Sequence, residues 1–158
     1  MPRSASRLLA CIAIAFAAQA HAADTTPSTP AAADKLAGAR ALIAENKWVA
    51  AIEELKRVDD TGSADWNNLM GYSHRKARTP DYAAAERYYD AALRIDPQHR
   101  GALEYSGELF LMTGDLARAE QRLAALDKAC FLPCSEYSDL KKAIAAYKAN
   151  GHRVVSAP

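Results

Sequence analysis

From Trp48 onward, apolar positions recur with a period longer than any single helix. Trp48, Ala51, Leu55 and Val58 follow one another at spacings of 3, 4 and 3, which puts them on one face of an α-helix. A step of 34 residues gives Tyr82, Ala85, Tyr89 and Ala92, and a second step of 34 gives Leu116, Ala119, Leu123 and Leu126. Every member is apolar, and the second is alanine all three times. A methyl group at a helix crossing lets two axes approach closely, where a leucine would hold them apart. A polar loop precedes each set: Asn46-Lys47, Thr79-Pro80-Asp81 and Gly114-Asp115. These residues suit a helix end followed by a new N-cap, where aspartate accepts otherwise unpaired N–H groups.

A further helix precedes each loop. Its buried face is marked by Leu103, Ser106-Gly107 and Phe110 in the third unit, by Asn67, Met70-Gly71 and His74 in the second, and by Ala39 and Leu42 in the first. The step from Gly71 to Gly107 is 36 residues, which places two extra residues in the connection around Arg78-Thr79-Pro80. The pattern predicts an all-α chain of three helix–turn–helix units over residues 34–60, 64–97 and 98–128.

These residues resemble the tetratricopeptide repeat, whose signature runs Trp-x2-Leu-Gly-x2-Tyr, then Ala-x3-Phe, then Pro. Gly107-x2-Phe110, Gly114-Asp115 and Ala119-x3-Leu123 match it, as do Gly71, Ala85-x3-Tyr89 and the Ile95-Asp96-Pro97 ending. The first unit is degenerate, with Ala39 for the glycine and no closing proline; Trp66 stands one place before the tryptophan slot. The resemblance implies a right-handed α-solenoid over residues 34–128. It says less about function, because the signature residues are packing residues.

A solenoid exposes the apolar side of its last unit unless something covers it. Over residues 135–148, Tyr137, Leu140, Ile144 and Tyr147 form one apolar stripe, and Asn150-Gly151 stops the helix. We therefore expect a C-terminal capping helix, N-capped by Ser135, within residues 129–150, and a flexible tail over 151–158. Cys130-Phe131-Leu132-Pro133-Cys134 sits between the last unit and this cap. A structural disulfide between Cys130 and Cys134 would fix the angle of the cap. The alternative is thiol redox chemistry, but redox dithiols use two intervening residues within a thioredoxin-like sheet, whereas here there are three and no βαβ pattern.

The N-terminus carries a different pattern. Arg3 and Arg7 precede an apolar run from Leu8 to Ala18, and small residues follow in Ala18-Gln19-Ala20 and Ala20-His21-Ala22. This is the three-part form of a secretory signal, and its apolar run is too short to span a bilayer. Cleavage is expected after Ala22, with Ala20 as second choice, which implies a periplasmic location and no stable membrane insertion afterwards. Cys11 lies inside the apolar run, not after it, so it does not read as a lipidation site. Residues 23–33 are rich in Thr, Pro and Ala and read as a disordered linker.

A net charge of +1 gives no basic stripe and argues against nucleic acid. Gly-rich phosphate loops and Gly-x-Ser-x-Gly elbows are absent from the sequence. The four histidines, His21, His74, His99 and His152, fall at no metal-ligand spacing. No cofactor, metal or enzymatic activity is expected. In the family that the chain resembles, the first helix of each unit lines an inner groove. That implies Asn68, Tyr72, Arg75 and Lys76 from the second unit, and Glu104, Glu108, Leu111 and Met112 from the third. Family members that hold acidic protein tails use a basic clamp. Asn68 and Arg75 echo part of it, but Glu104 and Glu108 oppose them, which argues against the same ligand. Glu104 and Glu108 repel at i,i+4 unless a cation such as Arg75 or Arg100 offsets them. The expected function is a periplasmic scaffold holding a protein or peptide partner in this groove; the alternative is a structural subunit of an envelope complex.

Overall fold

Asp81 and Asp115 start helices as their positions suggest. Their carboxylates accept from the backbone N–H of Ala84 at 2.8 Å and of Arg118 at 3.0 Å. Ser63 Oγ does the same for Trp66 N–H, and His99 Nδ1 for Ala102 N–H. Each such cap satisfies a donor that the first helical turn leaves open. The computed structural model describes residues 34–132 and 134–153. Among these residues there are seven helices and no strand: α1 (Ala37–Ala44), α2 (Trp48–Val58), α3 (Ala64–Lys76), α4 (Tyr82–Ile95), α5 (Arg100–Met112), α6 (Leu116–Ala129) and α7 (Ser135–Ala149). The expected signal segment and linker, Pro133 and residues 154–158 of the expected tail lie outside the described residues.

The seven helices form an all-α helical-repeat solenoid. α1 packs with α2, α3 with α4, and α5 with α6, each pair joined by a short turn. The α5–α6 turn depends on Gly114, whose φ of +84° suits glycine and strains most other residues. Ala51, Ala85 and Ala119 are all fully buried, as expected of small residues at crossings. The glycines of the first helices admit equally close neighbours: a Cβ on Gly71 would lie 2.8 Å from the Tyr89 ring, and one on Gly107 would lie 2.5 Å from a Leu140 methyl. Ala39 fills the corresponding place in the first pair and is also fully buried.

α7 lies on α5 and α6. Leu140, Ile144 and Tyr147 are buried in one cluster with Leu103, Phe110 and Leu126, with Tyr137 partly covered at its edge. Burying a leucine side chain stabilises by about 2 kcal/mol, so this stripe is what holds the cap. The expected N-cap is corrected by one position. Cys134 occupies it, and Ser135 is the first helical residue, its hydroxyl donating to Glu136 at 3.1 Å. Cys130 and Cys134 meet across the turn from α6. Their Cα atoms are 6.0 Å apart and their sulfurs lie at bonding distance.

Candidate functional site

Two rows of helices run through the solenoid. The backbones of successive first helices come close (α1 to α3, α3 to α5, α5 to α7), whereas those of α2 and α4 stay apart, as do those of α4 and α6, which are bridged by long side chains such as Arg122 to Asp90 at 3.0 Å and Arg118 to Glu86. The row of first helices is therefore the shorter, inner arc.

A band of aromatic rings crosses that arc. Trp48, at the start of α2, stands edge-on to Tyr72 of α3, with centroids 5.7 Å apart, and Tyr72 meets Tyr105 of α5 at 4.7 Å. All three rings are half-buried. The Arg75 guanidinium lies beside both tyrosines, 5.4 Å from the Tyr72 centroid and 5.5 Å from that of Tyr105. Arg75 is buried, and its Nη1 donates to Glu108 at 2.7 Å, which offsets one member of the expected acidic repulsion. Arg75 Nη1 also lies 3.9 Å from the Met112 sulfur. Burial alone would lower the Arg75 pKa, but the neighbouring Tyr89 hydroxyl and Glu108 raise it on balance. The guanidinium is a fixed cation.

Glu104 differs. It is 9% exposed, and no hydrogen bond or ion pair reaches it among the described residues. Burial, then Glu108, Asp139 and Glu136, push its carboxyl pKa up to about 7, with Arg75 opposing. Burial, then Glu104 and Tyr72, likewise raise the Tyr105 hydroxyl to about 12. Arg100, expected as a possible partner of Glu104, pairs instead with Glu136 at 3.7 Å.

A raised carboxyl pKa ties stability to pH. The folded protein holds the Glu104 proton more tightly than the unfolded chain does, so this contribution is full below pH 4.5 and is lost as pH rises through about 7. We expect the loss to reach about 2 kcal/mol by pH 8, read from urea unfolding, and Glu104→Gln to remove it. His74 acts in the opposite sense, because burial lowers its pKa. The difference between wild type and Glu104→Gln therefore isolates the carboxyl, and an equal pH dependence in both would refute this account.

The other expected groove residues are distributed unevenly. Asn68 is buried, its amide nitrogen 3.1 Å from where a Cβ on Gly101 would stand. Its Oδ1 is sealed from solvent without a partner. Leu111 is corrected from groove to core: it lies in the cluster beneath α7, because the cap covers that side of α5. Met112 is 37% exposed. Lys76 is exposed at the end of α3 and pairs with no acid among the described residues. Tyr105 was missed, although an aromatic residue next to Glu104 on a first helix was the signal available. His74 stacks on Tyr88 with centroids 5.5 Å apart, a packing role in the aromatic slot. Among the described residues, no three His, Cys, Asp or Glu side chains are grouped to hold a metal.

A separate open cleft of about 420 Å³ lies beside the cysteine turn, lined by Arg100, Cys130, Phe131, Leu132, Cys134 and Glu136 among others. Its rim includes Phe131, which is fully exposed.

Residues 80–144 match the model of the family described as tetratricopeptide repeat. Over these residues the chain is similar to tetratricopeptide repeats. The matched segment spans α4, α5, α6 and much of α7, so the cap takes the place of the first helix of a further unit. No curated protein and no solved structure matches the chain. Tetratricopeptide domains generally mediate protein–protein interaction, and the family is typically a non-enzymatic scaffold.

Proposed function

We propose that this helical-repeat protein is an exported interaction module of the periplasm, which holds a segment of a partner protein along its inner arc and has no catalytic activity. The observation that carries this reading is the half-buried band of Trp48, Tyr72 and Tyr105 with Arg75 fixed beside it. Aromatic rings and arginine dominate binding energy at protein interfaces because they bury a large area at little entropic cost. Rings locked against one another before binding lose still less. The secretory pattern before Ala22 supports export. So does the Cys130–Cys134 contact, which we read as a structural disulfide of an oxidising compartment. So short a closed loop stabilises by about 2 kcal/mol, enough to fix how α7 enters the cap.

The test has two measurements on the full chain expressed in a bacterial host. Intact mass of the protein released from the periplasm should correspond to a chain beginning at Ala23 and lighter by two hydrogens. A full-length cytoplasmic product with three free thiols would refute export. Capture of partners from periplasmic extract should fall about tenfold in Tyr72→Ala/Met112→Glu and stay unchanged in Lys76→Ala. Arg75 is unsuitable for this purpose, because its burial makes any charge reversal a folding defect. Equal capture by the double variant would remove the groove from the proposal.

A further inference from the structure

Four carboxylates gather where α5 meets α7: Glu104, Glu108, Glu136 and Asp139. Three of them have cations. Glu108 pairs with Arg75 at 2.7 Å, Glu136 with Arg100 at 3.7 Å and Asp139 with Lys142 at 3.2 Å. Glu104, nine-tenths buried, has none among the described residues. Its oxygens, unlike Asn68 Oδ1, are not sealed from solvent, so a ligand can reach them.

A further feature points to the same missing group. Tyr105, next to Glu104, forms with Tyr72 an aromatic wall that already accommodates one guanidinium, that of Arg75. The site thus offers a reachable carboxylate and π-faces, while the guanidinium beside it, that of Arg75, is taken up by Glu108 at 2.7 Å. A metal ion does not fit, because the carboxylates do not converge as ligands among the described residues. A long, flexible cationic side chain does, since its stem can lie along the rings while its head reaches the carboxylate.

We propose that Glu104 anchors a lysine or arginine side chain of the segment bound along the inner arc, with Tyr72 and Tyr105 flanking its stem. The inference rests on the groove reading and specifies what that groove selects: a partner segment with one basic residue at a fixed place. A buried carboxylate left without a cation discriminates strongly, because a neutral or acidic side chain at that place leaves it uncompensated. The specificity would come from that mismatch as much as from the contact itself.

The experiment uses isotope-labelled oxidised protein, followed by NMR of backbone amides and side-chain carboxyls. The probes are N-acetyl-arginine amide and its neutral counterpart, N-acetyl-citrulline amide. The arginine probe should shift signals of Glu104 and Tyr105 and lower the Glu104 titration midpoint by about one unit or more. Citrulline should do neither, and Glu104→Gln should weaken the arginine response at least tenfold. Glu104→Gln removes a buried unpaired charge, so folding is not at stake. Shifts spread alike over exposed acids such as Glu53 and Glu120, and unaltered in Glu104→Gln, would overturn the proposal. If Tyr72→Ala/Met112→Glu retains full capture while the arginine response stands, the groove reading alone fails. If captured segments carry no basic residue near Glu104, the present inference alone fails.

Discussion

Leu140→Ala is expected to lower the stability of the protein by about 3 kcal/mol, and Gly107→Ala to lower it by about 2 kcal/mol, yet the two together should cost less than the sum. Leu140 is fully buried at the centre of the cap stripe, and the cavity left by its truncation is enclosed by α5, α6 and α7. Gly107 meets the same side chain from below. A Cβ there would stand 2.5 and 2.8 Å from the two Leu140 methyls and 3.3 Å from Arg122 Cβ. In an exposed helix, alanine for glycine would stabilise by about 1 kcal/mol, so a net loss means that the clash outweighs propensity. Leu140 is fully buried among Leu103, Phe110, Leu126 and Ile144, so its methyls can yield only by displacing core neighbours, which decides the sign. With Leu140 truncated, the methyl added by Gly107→Ala gains room, and that change should become neutral or stabilising. Urea unfolding followed by circular dichroism gives all four values. Strict additivity would mean that α7 does not dock through this contact.

The cap joint shows which parts of this architecture can be read from sequence. Ala51, Ala85 and Ala119 are legible because the same crossing recurs at one fixed step and admits the same small residue each time. The stripe of Leu140, Ile144 and Tyr147 is legible because one side of a helix must be apolar to lie on a core. Leu111 is not, since the face of α5 that α7 covers depends on how the cysteine turn directs the chain. The N-cap stands one residue earlier than expected, at Cys134 and not Ser135, with no side-chain hydrogen bond to mark it in the sequence.

In the groove, the repeat alignment itself concealed a residue. At the 36-residue step that relates Gly71 to Gly107, Tyr105 falls in register with Leu69, a buried position. The aromatic contact between Tyr72 and Tyr105 breaks that register and is visible only in three dimensions. Arg75 was legible as a groove cation but not as a buried one. Burial of a guanidinium requires a partner within hydrogen-bond reach, and whether Glu108 or Glu104 supplies it depends on the relative positions of α3 and α5. That choice, which leaves Glu104 without a cation, is the chemically informative feature of the site.

Arg75→Ala should therefore destabilise the protein well beyond a surface charge deletion, by about 3 kcal/mol at pH 8. The change removes the cation 2.7 Å from Glu108 and the guanidinium beside the Tyr72 and Tyr105 rings, and it leaves two carboxylates a turn apart with no positive charge between them. Glu108 keeps 30% of its side-chain surface in water, so the loss stays below that of a fully sealed ion. Arg75→Met/Glu108→Leu should recover most of it, because an apolar pair of similar volume replaces a pair whose desolvation cost nearly offsets its attraction. The deficit of Arg75→Ala should also shrink towards pH 5, where Glu104, with its pKa near 7, carries its proton and no longer repels Glu108. Equal stability of Arg75→Ala and Arg75→Met/Glu108→Leu at pH 8 would show that the lost packing, and not the stranded carboxylate, sets the cost. A deficit independent of pH would further separate Glu104 from the pair, and with it the electrostatic reason for its open coordination.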